Sequence, residues 1–334
     1  MSGGSRDPTD LRDNNTLAPT TNRLLRPGAS QAVYTLMPAH YIGVDVGTGS
    51  VRAALVQRDG TVVASSAHDT PTWRDEQDHR IFEQSTTATW AAVCSVVKDV
   101  IAESKVDPSD VKGLGFDATC SLAVTDMSGT PVCVTGGESI GLEGERNIIL
   151  WADHRAEKEA ELINSTGSAV LDYVGGVMSV SAPLVYARWE LKERNHPPIF
   201  QLEMEIPKIL WLKNRMKPEH FSRCQFFDLP DYLTYRATGS VVRSCCSITC
   251  KCSYVPGSGW DAGFFERIGL GELVLSGYTQ IGAGSGMLLT AGAPVGQGLT
   301  KTSAEELGLV QGTPVGSGII DAYGFASVTG RGIC

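Results

Sequence analysis

Apolar residues gather in two short runs, Tyr41-Ile-Gly-Val-Asp-Val46 and Val51-Arg-Ala-Ala-Leu-Val-Gln57, separated by Gly-Thr-Gly-Ser. The second run reads as a strand, because Asp59-Gly60 closes it with a hairpin signal and a third extended run, Thr61-Val-Val-Ala64, follows. The period then changes. Ser85 supplies a cap for a helix over 85–104, in which Trp90, Val93, Val97 and Ile101 recur at helical spacing. Strands are predicted over 112–117 and 121–126, a turn at Ser128-Gly129, and a further run through Val134. A glycine-rich loop over 136–145 leads into Asn147-Ile-Ile-Leu-Trp151 and a charged helix over 153–164, ended by Gly167. Later helices are expected from Pro207, over 228–239 with a terminal glycine, and over 303–309. The last apolar run, Pro314-Val-Gly-Ser-Gly-Ile-Ile-Asp321, places a carboxylate at a strand's end.

The loop between the first two strands carries the first chemical signal. Gly47 and Gly49 are expected to take positive φ and let backbone N–H groups approach an anion, while Thr48 and Ser50 add hydroxyl donors. Asp45 suits a hydrated metal ion. A nucleotide loop of the Gly-Lys-Ser/Thr type is excluded, since Ser50 follows Gly49 and the loop feeds a strand instead of a helix. An ordinary Gly-Thr-Gly turn in a meander is the plainer alternative.

Composition narrows the partners. A chain of 334 residues is large enough for one large or two medium domains. A net charge of -9 and the absence of a Lys/Arg-rich block argue against nucleic acid and anionic membrane surfaces. No run of about 18 apolar residues is present, so no membrane span is proposed. Residues 1–40 mix Ser, Asp, Asn, Thr, Pro and Arg without period and read as a disordered leader, faintly transit-like from Asn14 onward but opposed by its acidic start.

Nine cysteines without regular spacing point to reduced thiols and a cytoplasmic location. Four crowd into Ser244-Cys-Cys-Ser-Ile-Thr-Cys-Lys-Cys252. The segment lacks a Cys-x-x-Cys pair, so it is read as small buried residues in a pair of strands, with a zinc site as the alternative.

Together the elements and motifs resemble the FGGY carbohydrate kinases, most closely their pentulose-kinase, D-ribulokinase-like branch. The resemblance rests on Gly43-Val-Asp-Val-Gly-Thr-Gly-Ser-Val-Arg52, Gly113-Leu-Gly-Phe-Asp-Ala-Thr-Cys-Ser121, Trp151-Ala-Asp-His-Arg-Ala156, Tyr173-Val-Gly-Gly-Val-Met-Ser179, Phe227-Asp-Leu-Pro-Asp-Tyr-Leu233 and Gly318-Ile-Ile-Asp-Ala322. It implies an α/β, ribonuclease-H-like (actin-like ATPase) domain with three α/β/α layers and a mixed sheet, spanning 41–334. It also implies transfer of the γ-phosphoryl group of ATP, with Mg2+, to a hydroxyl of a small sugar. By similarity Asp45, Gly47, Thr48, Gly49, Ser50 and Arg52 serve the phosphate and metal end. Asp117, Thr119 and Cys120, with Trp151, Asp153 and Arg155, line the sugar, and Asp321 is the general base. On residue type alone, Asp153 and Arg155 equally suit capping and pairing at a helix start, and Asp321 suits a turn cap.

Two departures from the family pattern stand out. Residues 181–202 look inserted, and after Asp321 the chain does not continue into the family's second, ATP-binding domain. The expectation is a pentulose kinase that turns over only with the missing half supplied. The alternatives are a non-catalytic sugar-binding or regulatory protein, and an actin-like ATPase that phosphorylates no small molecule. The face that meets the second domain is expected to be exposed or to drive homo-oligomerisation.

Overall fold

The computed structural model describes residues 39–174, 176–178, 204–282 and 288–323. The segment 181–202 and the leader up to residue 38 lie outside the described residues. Three strands open the fold, β1 (His40–Val46), β2 (Ser50–Gln57) and β3 (Val62–Asp69), as successive antiparallel neighbours. Gly60, at φ 88, makes the turn between β2 and β3, with Asp59 accepting the Thr61 N–H. Two short strands, β4 (Trp73–Arg74) and β5 (Phe82–Gln84), lead to helix α1 (Thr86–Ser104). Ser85 caps that helix by accepting the Ala88 N–H, as its sequence predicts.

Strand β6 (Val111–Ala118) returns parallel to β1. It is followed by β7 (Leu122–Asp126), β8 (Ile148–Ile149), β9 (Cys224–Asp228), a parallel pair β10 (Arg243–Ser244) and β11 (Leu288–Leu289), and β12 (Ile319–Ile320). The first sheet runs β12-β6-β1-β2-β3, mixed in direction, which is the ribonuclease-H-like, actin-like arrangement. Its residues alternate across the pleat. Ile42, Val44, Val51, Ala53, Leu55, Leu114 and Phe116 are buried on one face under α1, where the Trp90 and Phe116 rings lie 6.4 Å apart. Helices Leu229–Thr238 and Lys301–Leu307 share that face, tied to α1 by Arg236 over the Trp90 ring and by Trp90 donating to Glu306. Tyr41, Gly43 and Arg52 point the other way and are exposed.

The second sheet, β4-β5-β8-β7-β9, is antiparallel throughout. Alternation divides its side chains between two cores. Ala123, Ile148 and Phe227 join the core under the first sheet, while Leu122, Val124, Ile149 and Phe226 join a second core with helices α2 (Glu157–Ser165) and Glu205–Lys213. Asn147, fully buried, fastens the start of α1 to the second sheet: its Oδ1 accepts the Thr86 N–H, and its Nδ2 donates to the Val124 carbonyl.

Two expectations change. The cysteine-rich segment is a helix, Cys245–Lys251, and not a strand pair, because Ser244 caps it by accepting the Cys246 N–H. The charged helix expected from Asp153 begins at Glu157, since Asp153 and Arg155 are drawn into the interior.

Candidate functional site

Strands β1, β6 and β12 end side by side, and the ends carry the chemistry. In register Asp45 stands beside Arg52 on β2 and beside Asp117 on β6, and Ile319 of β12 pairs with Asp117. Asp321 follows β12 directly and starts a helical turn, its Oδ1 accepting the Ala322 N–H at 2.7 Å. Three carboxylates from distant parts of the chain therefore converge. Arg52 supplies the nearest cation, with Nη1 2.9 Å from Asp45 Oδ2, both side chains open to solvent.

The electrostatics follow from that crowding. Asp117 is pushed up to about 7, first by burial, then by the charge of Asp45 and a hydrogen bond between the two carboxyls, and by Asp321. Asp321 is also raised, mainly by burial and then by Asp45, with the Ala322 N–H and the Lys251 ammonium acting against the rise. The crowding of carboxyls thus raises the proton affinity of Asp117, and an arriving cation would relieve the repulsion. Among the described residues no three His, Cys, Asp or Glu side chains form a ready metal cage. A hydrated Mg2+ needs less, since it keeps several waters and takes only one or two protein carboxylates. Asp45, partly exposed at a strand end, fits that role.

The loop from Gly47 to Ser50 is held rigidly. Gly47 N–H donates to the Ser50 carbonyl, and the Thr70 N–H donates to Gly49. The Thr48 carbonyl accepts from Gln84 Nε2 at 2.7 Å and from the Thr72 hydroxyl, while its own hydroxyl accepts from Trp151 Nε1 at 2.8 Å. Neither Gly47 nor Gly49 has positive φ, contrary to the expectation. Gly49 is exposed, and a Cβ there would meet nothing within 4 Å, so its backbone faces open space.

Toward the second sheet, the Thr119 N–H donates to the Val46 carbonyl, and its hydroxyl hydrogen-bonds that of Ser121, which accepts the Trp151 N–H. Cys120 is buried against Cys246 and Ile320, with Trp151 half-buried beside them; burial pushes its thiol up to about 11. The structure thus brings together Asp45, Thr48, Arg52, Asp117, Trp151 and Asp321, with Thr119 and Cys120 lining the same corner.

Asp153 and Arg155 sit elsewhere. Both are buried; Arg155 Nη2 lies 2.6 Å from Asp153 Oδ2 and 2.9 Å from Glu83, its Nη1 donates to the Val134 carbonyl, and Asp153 Oδ2 accepts the Phe82 N–H. The pair holds β5 to the loop after β8. Sequence reading missed Lys251, which is buried and reaches Cys120 as well as the field of Asp321. A lone cation inside the cysteine-rich run was the available signal. It also missed Gln84 and Thr72, whose braces on the loop are formed only by the fold.

Comparisons with known proteins agree with this geometry. Residues 40–202 match the FGGY family of carbohydrate kinases, N-terminal domain. An FGGY carbohydrate kinase domain-containing protein of Xenopus laevis is 43% identical over 285 residues, covering 85% of this chain and 46% of that protein. A D-ribulokinase of Saccharomyces cerevisiae is 43% identical over 292 residues, covering 85% of this chain and 37% of that one. Among solved structures, xylulose kinase from Rhodospirillum rubrum superposes with a TM-score of 0.63 at 19% identity, over 88% of this chain and 51% of that one. Gluconate kinase from Lactobacillus acidophilus gives 0.62 at 20% identity, over 86% and 49%. The chain spans about half the length of the relatives it matches, or less.

Proposed function

Because the chain belongs to the FGGY family of carbohydrate kinases and carries its N-terminal domain, we propose that it binds a sugar, and that it serves ATP-dependent phosphorylation of one hydroxyl of a pentulose such as D-ribulose. The observation that carries this reading is the convergence of Asp45, Asp117 and Asp321 at neighbouring strand ends, with Arg52 beside them and the open Gly49 backbone one turn away. Such a transfer depends on alignment and charge neutralisation. Arg52 and the loop N–H groups would receive the phosphates, and Asp45 would hold a Mg2+ ion, which supplies charge neutralisation when bound. Asp117 hydrogen-bonds the sugar hydroxyls as donor or acceptor, according to its proton. Asp321 accepts the proton of the attacking hydroxyl as its oxygen bonds to the γ-phosphorus and the bond to ADP breaks. Its raised proton affinity brings it closer to that task than an ordinary aspartate.

The test supplies the purified chain with the ATP-binding half of a relative, mixes them with D-ribulose and Mg-ATP, and follows ADP. Sugar-dependent ADP release is expected, with Asp321→Asn lowering it about 10²–10⁴-fold. Release that ignores both sugar and Asp321→Asn would overturn the proposal in favour of an ATPase. A sugar-induced rise in melting temperature, abolished by Asp117→Ala, would support the binding half of the proposal even without turnover.

A further inference from the structure

Helix Cys245–Lys251 places Cys246 and Cys250 one turn apart on one face, and the thiols are in hydrogen-bonding contact with each other. Both pack at the strand end that carries Asp321. Cys246 is buried against Cys120 and Ile320, and its sulfur is within reach of the Ile320 backbone N–H. Cys250 is only partly buried, and its sulfur lies 3.1 Å from the Tyr323 hydroxyl, two residues beyond Asp321. We propose that Cys246 and Cys250 form an oxidisable dithiol: a peroxide reacts at Cys250, and Cys246 resolves the product to an intramolecular disulfide.

The two sulfurs divide the roles by their surroundings. Cys250 meets solvent and has the Cys246 thiol and the Tyr323 hydroxyl as neighbours, so its thiolate is favoured. Cys246 is pushed up by its bond to Cys250 and by burial, so it keeps its proton until a partner sulfur is electrophilic. In the first step the Cys250 thiolate attacks the peroxide; the O–O bond breaks, hydroxide leaves and Cys250 becomes the sulfenic acid. In the second, Cys246 attacks that sulfur, the S–O bond breaks, and water leaves with the Cys246 proton. Two thiols are oxidised and one peroxide is reduced.

Geometry permits closure at a stated cost. Residues four apart on a helix have Cβ atoms about 5–6 Å apart, and a disulfide needs about 3.5–4.5 Å. The last turn of this two-turn helix must therefore draw in. That movement takes the Cys250 sulfur from Tyr323 and strains the contact of Cys246 with Ile320. Among the described residues Cys94 and Cys133 stand apart and Cys224 is buried against Met216, while Cys120 packs against Cys246 from the buried side, away from solvent.

The chemistry is read without any enzymatic assay. The whole chain, reduced and then exposed to hydrogen peroxide, is expected to lose about 2 Da, reversibly with dithiothreitol, and peptide fragmentation should place the bond between Cys246 and Cys250. Cys250→Ser should abolish the loss, whereas Cys245→Ser should keep both the loss and the bond. A bond involving Cys245, stable oxygen addition without closure, or a first reaction at Cys94 would overturn the proposal. Mapping on the unsubstituted chain decides the matter even if Cys250→Ser does not fold.

Discussion

At the site, the proton on Asp117 sets a pH signature. Its folded pKa of about 7 lies above the usual carboxylate value near 3.9, so the native state holds a proton that the unfolded chain releases. Stability from this group is complete at low pH and falls as pH rises from about 4 through 7. Glu205 and Asp231, both buried and both pushed up to about 7 mainly by burial, act with the same sign. Asp117→Asn should therefore flatten the slope without removing it, leaving the protein close to its parent at pH 5 and more stable at pH 8. Urea midpoints at the two pH values check this, and a variant less stable at pH 8 would show that the charged carboxylate is favoured in the fold. The effect stays below the full ~1.4 kcal/mol per unit of a buried group, because Asp117 is partly solvated. Its candidacy as a site residue was legible in Phe116-Asp-Ala-Thr119. The raised affinity was not, because it arises from Asp45 and Asp321, which only the sheet brings near.

Elements were legible where a local signal terminated them and obscure where burial overruled it. Ser85, Gly60 and Gly239 mark their cap or turn, and the structure follows them. Side-chain size in the cysteine run suggests strand, whereas Ser244 offers a cap two residues before Cys246, and the structure follows the cap. Asp153 and Arg155 have the look of a helix start, but their charges find Glu83 and the Phe82 N–H across the fold, and the helix starts later. Asn147 shows how far such long-range bonds hold elements together. Asn147→Ala leaves the Thr86 N–H without its partner in the interior, while the Val124 carbonyl keeps the Val132 N–H, a loss of about 2–3 kcal/mol. Ser85→Ala, which removes one cap bond at the same helix end, should cost only about 1 kcal/mol. Chemical denaturation of the two variants separates these values, and equal losses would mean that Asn147 does no more than a cap.

The molecule as a whole has two cores but one shared middle layer. Phe226 and Phe227 are neighbours on β9, yet the pleat sends one to the core with α2 and the other to the core under the first sheet. A sheet that lends alternate side chains to both cores cannot lose one without exposing its backbone to the loss of the other. Unfolding of the described residues between 39 and 323, which cluster as one compact unit, should therefore be a single cooperative transition. Truncation of either ring to alanine is expected to cost about 3–5 kcal/mol and to lower that same transition. Trp90 reports on the first core and Trp211 on the second, so fluorescence from each, with the other tryptophans replaced, tests the idea directly. Coincident midpoints that move together in Phe226→Ala and in Phe227→Ala support the shared layer. If Phe226→Ala lowered only the Trp211 signal and left Trp90 in place, the two cores would be independent, and β9 would be a border between them.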